Sequence, residues 1–155
     1  MNTIEKKSVK AGNYVSKNEM NALTTAYKQD RWAANTERLG RADSLSLWYT
    51  VEELENFLNE VKVNGGNGVR IHFGVFPEGY RKPELVGMQT VVLVANRSKD
   101  ETLQNAKELR GKNGEIIAMD GPVPCPPYCG IGVGDLASSM GQSTIIVRDG
   151  NMEVI

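Results

Sequence analysis

Three stretches of the chain combine a helix-start signal with apolar residues at helical spacing. Ser16 stands three residues before Glu19, and the same Ser/Thr-x-x-Glu pattern begins at Thr50 and at Ser98. In this capping box the hydroxyl and the carboxylate satisfy free amides of the first turn. Apolar residues then recur three and four positions apart. The pattern predicts three helices, over residues of about 17–34, 51–62 and 98–109.

Alternating apolar and polar residues predict the strands. From Val69 to Phe76 the residues Val69, Ile71, Phe73 and Val75 fall on one side, while Arg70 and His72 fall on the other. Such alternation is typical of a half-buried strand with its apolar side towards a core. The run Val-Val-Leu-Val within residues 88–96 predicts a strand buried on both faces. A shorter strand is expected at 115–119.

The end of the chain has the pattern of a hairpin. Asp149-Gly150 separates the apolar segments 143–148 and 151–155, and this dipeptide favours a tight turn between two strands. Before it, residues 121–141 hold four prolines and then four glycines, so we expect a long loop. We expect the outer strand of the hairpin to form an edge that pairs with another chain.

Together these elements predict an α+β fold. We expect a mixed or antiparallel sheet with two or three helices packed on one face, and a long Pro/Gly-rich loop before a C-terminal hairpin. The 155 residues suit one domain over 16–155. Residues 1–15, with three lysines and few large apolar groups, are expected to form a flexible arm.

Charge and hydropathy bear on the possible partners. The formal net charge is -1, and nucleic-acid binding is therefore disfavoured, because such proteins usually carry a basic excess. No apolar run approaches about 18 residues, so no membrane helix is expected. The first residues lack the apolar stretch of a secretory signal. We therefore expect a soluble, cytoplasmic protein whose two cysteines are reduced.

Cys125 and Cys129 offer one chemical hypothesis. With His72, the single histidine, they could bind zinc, and Asp120 or Asp135 could complete four ligands. A redox pair is a second possibility, although the familiar redox motif has two intervening residues and not three. In the third interpretation they are small residues in a rigid loop. A small metal- or thiol-dependent enzyme is thus the alternative function.

The leading hypothesis is a protein-interaction or self-assembling protein without catalytic activity. The sequence contains no recognisable catalytic constellation, so enzyme activity is not expected. Pro126, Pro127 and Tyr128 are the expected partner-binding residues: prolines restrict the loop before it docks, and tyrosine is a favourable contact residue. The expected partner is another copy of the chain, forming a homo-oligomer, or another protein.

One segment carries a resemblance. A Trp-led amphipathic helix beginning near Trp48 is followed by Val-Arg-Ile-His-Phe-Gly and by Thr-Val-Val-Leu-Val, and Cys125-Pro126-Pro127 comes later. In these features residues 47–96 resemble small uncharacterised proteins from Bacteroidetes genomes. The resemblance implies a bacterial origin and a shared fold, and it implies no activity, cofactor or catalytic residue.

Overall fold

The regular structure of the described part consists of two helical elements, one 3-10 turn and eight strands. The structure is a computed structural model and describes residues 11–99 and 106–129, together with the backbone of the strands at 145–148 and 151–154. All of the strand pairs in these residues are antiparallel. The predicted α+β class is confirmed.

The first element is a long helix over residues 17–39 with a π-helical turn in its middle. It consists of α1 (Lys17–Tyr27), the π turn (Lys28–Trp32) and α2 (Ala33–Leu39). Ser16 and Glu19 form the predicted capping box, and Gly40, at φ 73°, ends the helix. Every residue of α1 before Tyr27 is exposed, whereas Trp32 is buried. The helix therefore joins the core only in its second half.

The second element is helix α3 (Val51–Val63), which begins at the predicted Thr50–Glu53 capping box. It ends in a Schellman motif: the amide of Gly66 donates to the carbonyl of Val61, and the amide of Gly65 donates to that of Lys62. Gly65 has φ +84°, a conformation that glycine adopts at little cost. Phe57 and Val61 are the buried residues of the helix.

The strands form three antiparallel sheets. The largest has the order β2-β3-β4, and β5 also pairs with β3, which is therefore central. β1 pairs with β6, and β7 pairs with β8 in the predicted C-terminal hairpin. The strands are β1 (Ser46–Trp48), β2 (Gly68–Val75), β3 (Gln89–Arg97), β4 (Lys107–Glu108), β5 (Ala118–Met119), β6 (Val123–Cys125), β7 (Ile145–Arg148) and β8 (Asn151–Val154).

Two apolar clusters hold these elements together. In the first, helix α3 packs on β3 and on the segments beside it; its buried members are Phe57, Val61, Leu93, Ala95, Leu109 and Ile117. The second lies by the short 3-10 turn Pro83–Leu85; its buried members are Phe76, Leu85 and Met88. Leu39, at the end of the long helix, packs against this second cluster.

The third predicted helix is wrong in its last part. Lys107–Glu108 forms strand β4, and the amide of Leu109 donates to the carbonyl of Ala95 in β3. Pairing with the central strand satisfies the backbone here in place of a local helix. Residues 100–105 lie outside the described residues. The predicted strand at 115–119 is shorter, with an isolated bridge at Ile116 and strand only over β5.

Other expectations fall partly outside the described residues. The expected arm over 1–15 is described from residue 11 onward, where it is exposed and without regular structure. The expected loop at 121–141 contains strand β6 (Val123–Cys125) near its start. Its glycine-rich part after residue 129 lies outside the described residues. No described helix is both long enough and apolar enough to cross a membrane.

Candidate functional site

Strand β2 has an outer edge that no strand covers in the described part of the chain. It pairs only with β3, over eight residues in unbroken register. Phe76 donates from its amide to the carbonyl of Met88, while both backbone groups of Ala95 bond to Leu109 and Ile117 on the far side of β3. Hydrogen-bonded pairs alternate along an antiparallel ladder. The backbone groups of the odd-numbered β2 residues 69–75 therefore point outward.

The side chains of this edge are apolar and exposed. Ile71 is 58% exposed, Phe73 is 84% exposed and Val75 is 55% exposed. Only Val69 packs against the α3 cluster. We call Ile71, Phe73 and Val75 together with the outer edge of β2 the β2 edge. The prediction that this alternating face lies against a core is wrong for these three residues, because helix α3 covers β3 and reaches only the start of β2.

The β2 edge lacks the devices that usually prevent strands from pairing. Natural edge strands carry prolines, bulges or lysines, or they are very short or covered. Within Gly68–Val75 there is no proline and no lysine, and the register with β3 contains no bulge. The single formal charge is that of Arg70, whose side chain lies on the opposite face by alternation.

The loop predicted to bind a partner packs largely on its own chain. Pro126 is buried, and Pro127 and Tyr128 are half-buried. The ring of Tyr128 contacts the Phe76 cluster, and its hydroxyl donates to Glu84 Oε1 at 3.0 Å. Burial and this bond raise the pKa of Tyr128. Because its own chain buries Pro126, that residue is not available to a partner; a contact through Pro127 and Tyr128 stays a prediction.

Cys125 and Cys129 are joined in a disulfide, with their Cα atoms 4.7 Å apart. This differs from the expectation of reduced thiols. Zinc binds thiolates, and a disulfide has none, so this form of the protein does not present the predicted Cys125–Cys129–His72 set. His72 lies exposed in β2, opposite Val92. No three His, Cys, Asp or Glu residues are grouped suitably for a metal ion anywhere in the described part.

A cleft of about 430 Å³ lies between the long helix and the β2 edge. One wall presents polar side chains of the helix, from Tyr27 to Arg38. The other wall is the end of β2, with Phe73 and Val75, and the start of β3, with Gln89. This cleft was not predicted from the sequence. Its only signal was the spacing of Arg31, Asn35 and Arg38, which puts three polar residues on one helix face.

Buried polar contacts fix the walls of this cleft to each other. The hydroxyl of Tyr27 donates to Gln89 Oε1 at 2.6 Å. Asp43, which is 1% exposed, accepts from the Gln89 amide at 2.7 Å and from Asn35 Nδ2 at 3.1 Å. Burial, and then the Asp43 carboxylate, raise the pKa of Tyr27, so its hydroxyl keeps its proton further into the alkaline range than a free tyrosine does. The helix is thus bonded to the sheet along the length of the cleft.

The close approach of the helix to the sheet also depends on Gly87. A Cβ atom at this position would come within 2.8 Å of Leu39 Cδ2, and the residue has φ +87°. Arg41, just beyond the helix, donates to the carbonyls of Glu84 and Val86. These contacts fix the C-terminal end of the helix beside the loop that leads into β3.

The comparisons with known proteins add no family to this picture. No protein-family model matches the chain, and no curated protein and no solved structure is significantly similar to it. The resemblance to Bacteroidetes proteins, and the bacterial origin that it implies, therefore stay predictions. The function has to be argued from the β2 edge and the cleft themselves.

Proposed function

We propose that this protein is a non-enzymatic assembly protein that self-associates through the β2 edge. The observation that carries the proposal is a strand of eight residues whose outer edge no strand covers in the described part of the chain, with Ile71, Phe73 and Val75 exposed on one face. Strand edges of this kind add a further strand by backbone hydrogen bonding. Homo-oligomers most often have two-fold symmetry, in which the same surface is used by both copies.

Antiparallel pairing of two β2 strands fits these constraints. A two-fold axis at His72 would set Ile71 of one copy opposite Phe73 of the second copy. Both residues have outward backbone groups, so each such pair would exchange two hydrogen bonds. Aromatic and β-branched residues that face each other across strands stabilise a sheet by about 0.2–1 kcal/mol per pair. The β2-β3 sheet would then continue through both copies.

A second copy fits the β2 edge better than an unrelated charged peptide does. With the two-fold axis at His72, Ile71 and Phe73 of the two copies would meet on the apolar face. On the other face His72 would meet its own copy and Arg70 would meet Gly74, so no two arginines would face each other. An edge with a single formal charge discriminates between partners mainly by shape and register. Two copies of the β2 edge have complementary shape and register, because in a two-fold antiparallel pair each residue contact occurs once in each copy.

The test is the oligomeric state of Ile71→Lys. We expect the wild-type protein to be dimeric in sedimentation equilibrium and the variant to be monomeric, with an unchanged circular dichroism spectrum. A lysine on an edge strand opposes pairing, because its charge would be buried in the joint sheet. A loss of about 1.4 kcal/mol in association free energy corresponds to a tenfold weaker dimer.

Val63→Lys is the matched control. Val63 is 71% exposed, somewhat more than Ile71, and it lies in the last turn of α3, outside the β2 edge. This variant makes the same chemical change and should remain dimeric. A wild-type protein that stays monomeric at millimolar concentration, or an Ile71→Lys protein that dimerises as well as Val63→Lys, would contradict the proposal.

A further inference from the structure

We propose that the cleft between the long helix and the β2 edge binds a small organic anion, a carboxylate or phosphate attached to an apolar body. No comparison or motif assigns this cleft a ligand. The proposal rests on the charge, the shape and the rigidity of its walls, and it does not depend on self-association. The proposed site residues are Arg31, Asn35, Arg38, Phe73 and Val75.

The polar wall of the cleft carries two arginines, Arg31 and Arg38, and one buried carboxylate, Asp43. No carboxylate of the described residues forms an ion pair with Arg31 or Arg38; the Arg81–Asp120 ion pair of the described part lies outside the cleft. The acidic residue of the cleft, Asp43, is buried with both oxygens already bonded, Oδ1 to two backbone amides and Oδ2 to Asn35. Guanidinium groups bind carboxylates and phosphates by charge-assisted, often bidentate hydrogen bonds.

The opposite wall supplies an apolar surface. Phe73 and Val75 are more than half exposed, and both line the cleft. Gly74 and Gly87 also line the cleft. A ligand with an apolar body would remove these side chains from water, which favours binding. The site therefore favours amphipathic anions over inorganic ones.

Size and rigidity fit a metabolite-sized ligand. The volume of about 430 Å³ lies within the range of roughly 300–1,000 Å³ typical of small-molecule sites. The bonds Tyr27–Gln89 and Asn35–Asp43 set the spacing of the walls without a ligand. The side chains of the walls therefore lose little conformational freedom when a ligand binds, and this favours affinity. The π turn ends at Trp32 and contains Arg31, and such turns often occur at functional sites.

The experiment is a calorimetric titration with three probes that share a naphthalene body: 2-naphthoate, 2-naphthyl phosphate and the neutral 2-naphthalenemethanol. Comparing the two anions distinguishes a carboxylate from a phosphate ligand. We expect one or both anions to bind at least about tenfold more tightly than the alcohol. The double variant Arg31→Gln/Arg38→Gln should weaken anion binding by about tenfold or more and leave binding of the alcohol unchanged.

The control is Arg97→Gln/Arg110→Gln, which removes the same charge at two exposed arginines outside the cleft and outside β2. It should bind both anions as the wild type does. Repeating the titration on Ile71→Lys separates this inference from self-association, because Ile71 does not line the cleft. The inference is overturned if neither anion binds, if the alcohol binds equally well, or if both double variants lose affinity equally.

Discussion

Asp43 shows how much of this structure depends on single buried polar residues. Its backbone carbonyl accepts from Trp32 Nε1 at 2.7 Å, and its carboxylate accepts from the amides of Ser44 and Gln89. These bonds join the long helix to β3. In the sequence, Asp43 lies in a short polar stretch between two elements and has the pattern of an ordinary loop residue. Nothing local indicates burial, because its partners lie up to 46 residues away.

The candidate metal and redox residues also could not be assigned from the local sequence. Cys125, Cys129 and His72 were the residues with the most distinctive chemistry in the sequence, and a zinc site needs all of them close together. The disulfide is compatible with their four-residue separation, but spacing alone left metal, redox and structural interpretations open. The cleft arginines had no distinctive chemistry, because an arginine on a helix is usually solvated surface. These arginines line a cleft only because strand β2 lies opposite them in the fold.

The hydroxyl of Tyr49 should lower the stability of the fold. This hydroxyl is buried and has no hydrogen-bond partner in the described part of the chain. An unpaired buried hydroxyl lowers stability by about 1–3 kcal/mol. Tyr49→Phe removes it and keeps the ring against the α3 cluster. We therefore expect a free energy of unfolding about 1 kcal/mol higher than that of the wild type in urea titrations at neutral pH.

The same variant has a pH signature. Burial, followed by the charges of Asp120 and Glu53, raises the pKa of Tyr49 to about 12 from 10.0. Between these values the unfolded chain releases the phenol proton while the folded chain keeps it, so wild-type stability falls as pH rises from 10 to 12. The stability advantage of Tyr49→Phe should increase over this range. An advantage that is constant with pH, or a less stable variant, would contradict the assignment.

At the scale of elements, helix starts were predictable and strand faces were not. The capping boxes at Ser16 and Thr50 are local, and both form as expected. The alternation in β2 is equally clear, but it predicts only that one face differs from the other. Whether a core covers that face depends on where helix α3 lies, which is a tertiary property. The capping-box pattern at Ser98 preceded a segment that ends as a strand, because β3 offers backbone partners there.

Gly66, just after helix α3, has no room for a larger side chain. A Cβ atom at Gly66 would come within 2.6 Å of Val61 Cγ1 and 2.8 Å of Leu109 Cδ2. Both neighbours belong to the buried α3 cluster and have little room to move. Gly66→Ala should therefore lower the free energy of unfolding by about 1–3 kcal/mol, the usual cost of overpacking. Thermal or urea denaturation monitored by circular dichroism measures this change.

Gly68 provides the comparison for that substitution. A Cβ atom there would meet nothing within 4 Å, and the residue begins strand β2. Gly68→Ala should therefore be neutral or slightly stabilising, since alanine restricts the unfolded chain more than glycine does. Equal destabilisation by the two substitutions would show that loss of backbone freedom, rather than contact with Val61 and Leu109, decides the effect at Gly66.

At the scale of the whole molecule, the fold class was predictable because it follows from the order of elements. Helical periodicity followed by alternating segments separated by turns indicates α+β whatever the arrangement. A mixed or antiparallel sheet with a C-terminal hairpin was expected as well, but which strands share a sheet was not predictable. The expected pairing edge at the C-terminal hairpin, where β8 pairs with β7, stays a prediction. The edge of β2 was not expected from the sequence: β3 pairs with β2 on one side and with β4 and β5 on the other, which leaves the outer side of β2 without a strand in the described part.

An edge that pairs with a second copy should also link folding to protein concentration. Only the folded chain presents an ordered β2 strand, so dimerisation stabilises the native state by mass action. We expect the thermal midpoint of the wild type to rise with each tenfold increase in concentration and that of Ile71→Lys to stay constant. At low concentration, where both are monomers, the two midpoints should converge, because Ile71 is 58% exposed and contributes little to its own core. Differential scanning calorimetry over a concentration series measures this. A wild-type midpoint independent of concentration would contradict association of folded chains, and a variant that is less stable at every concentration would show that Ile71 supports the monomer instead.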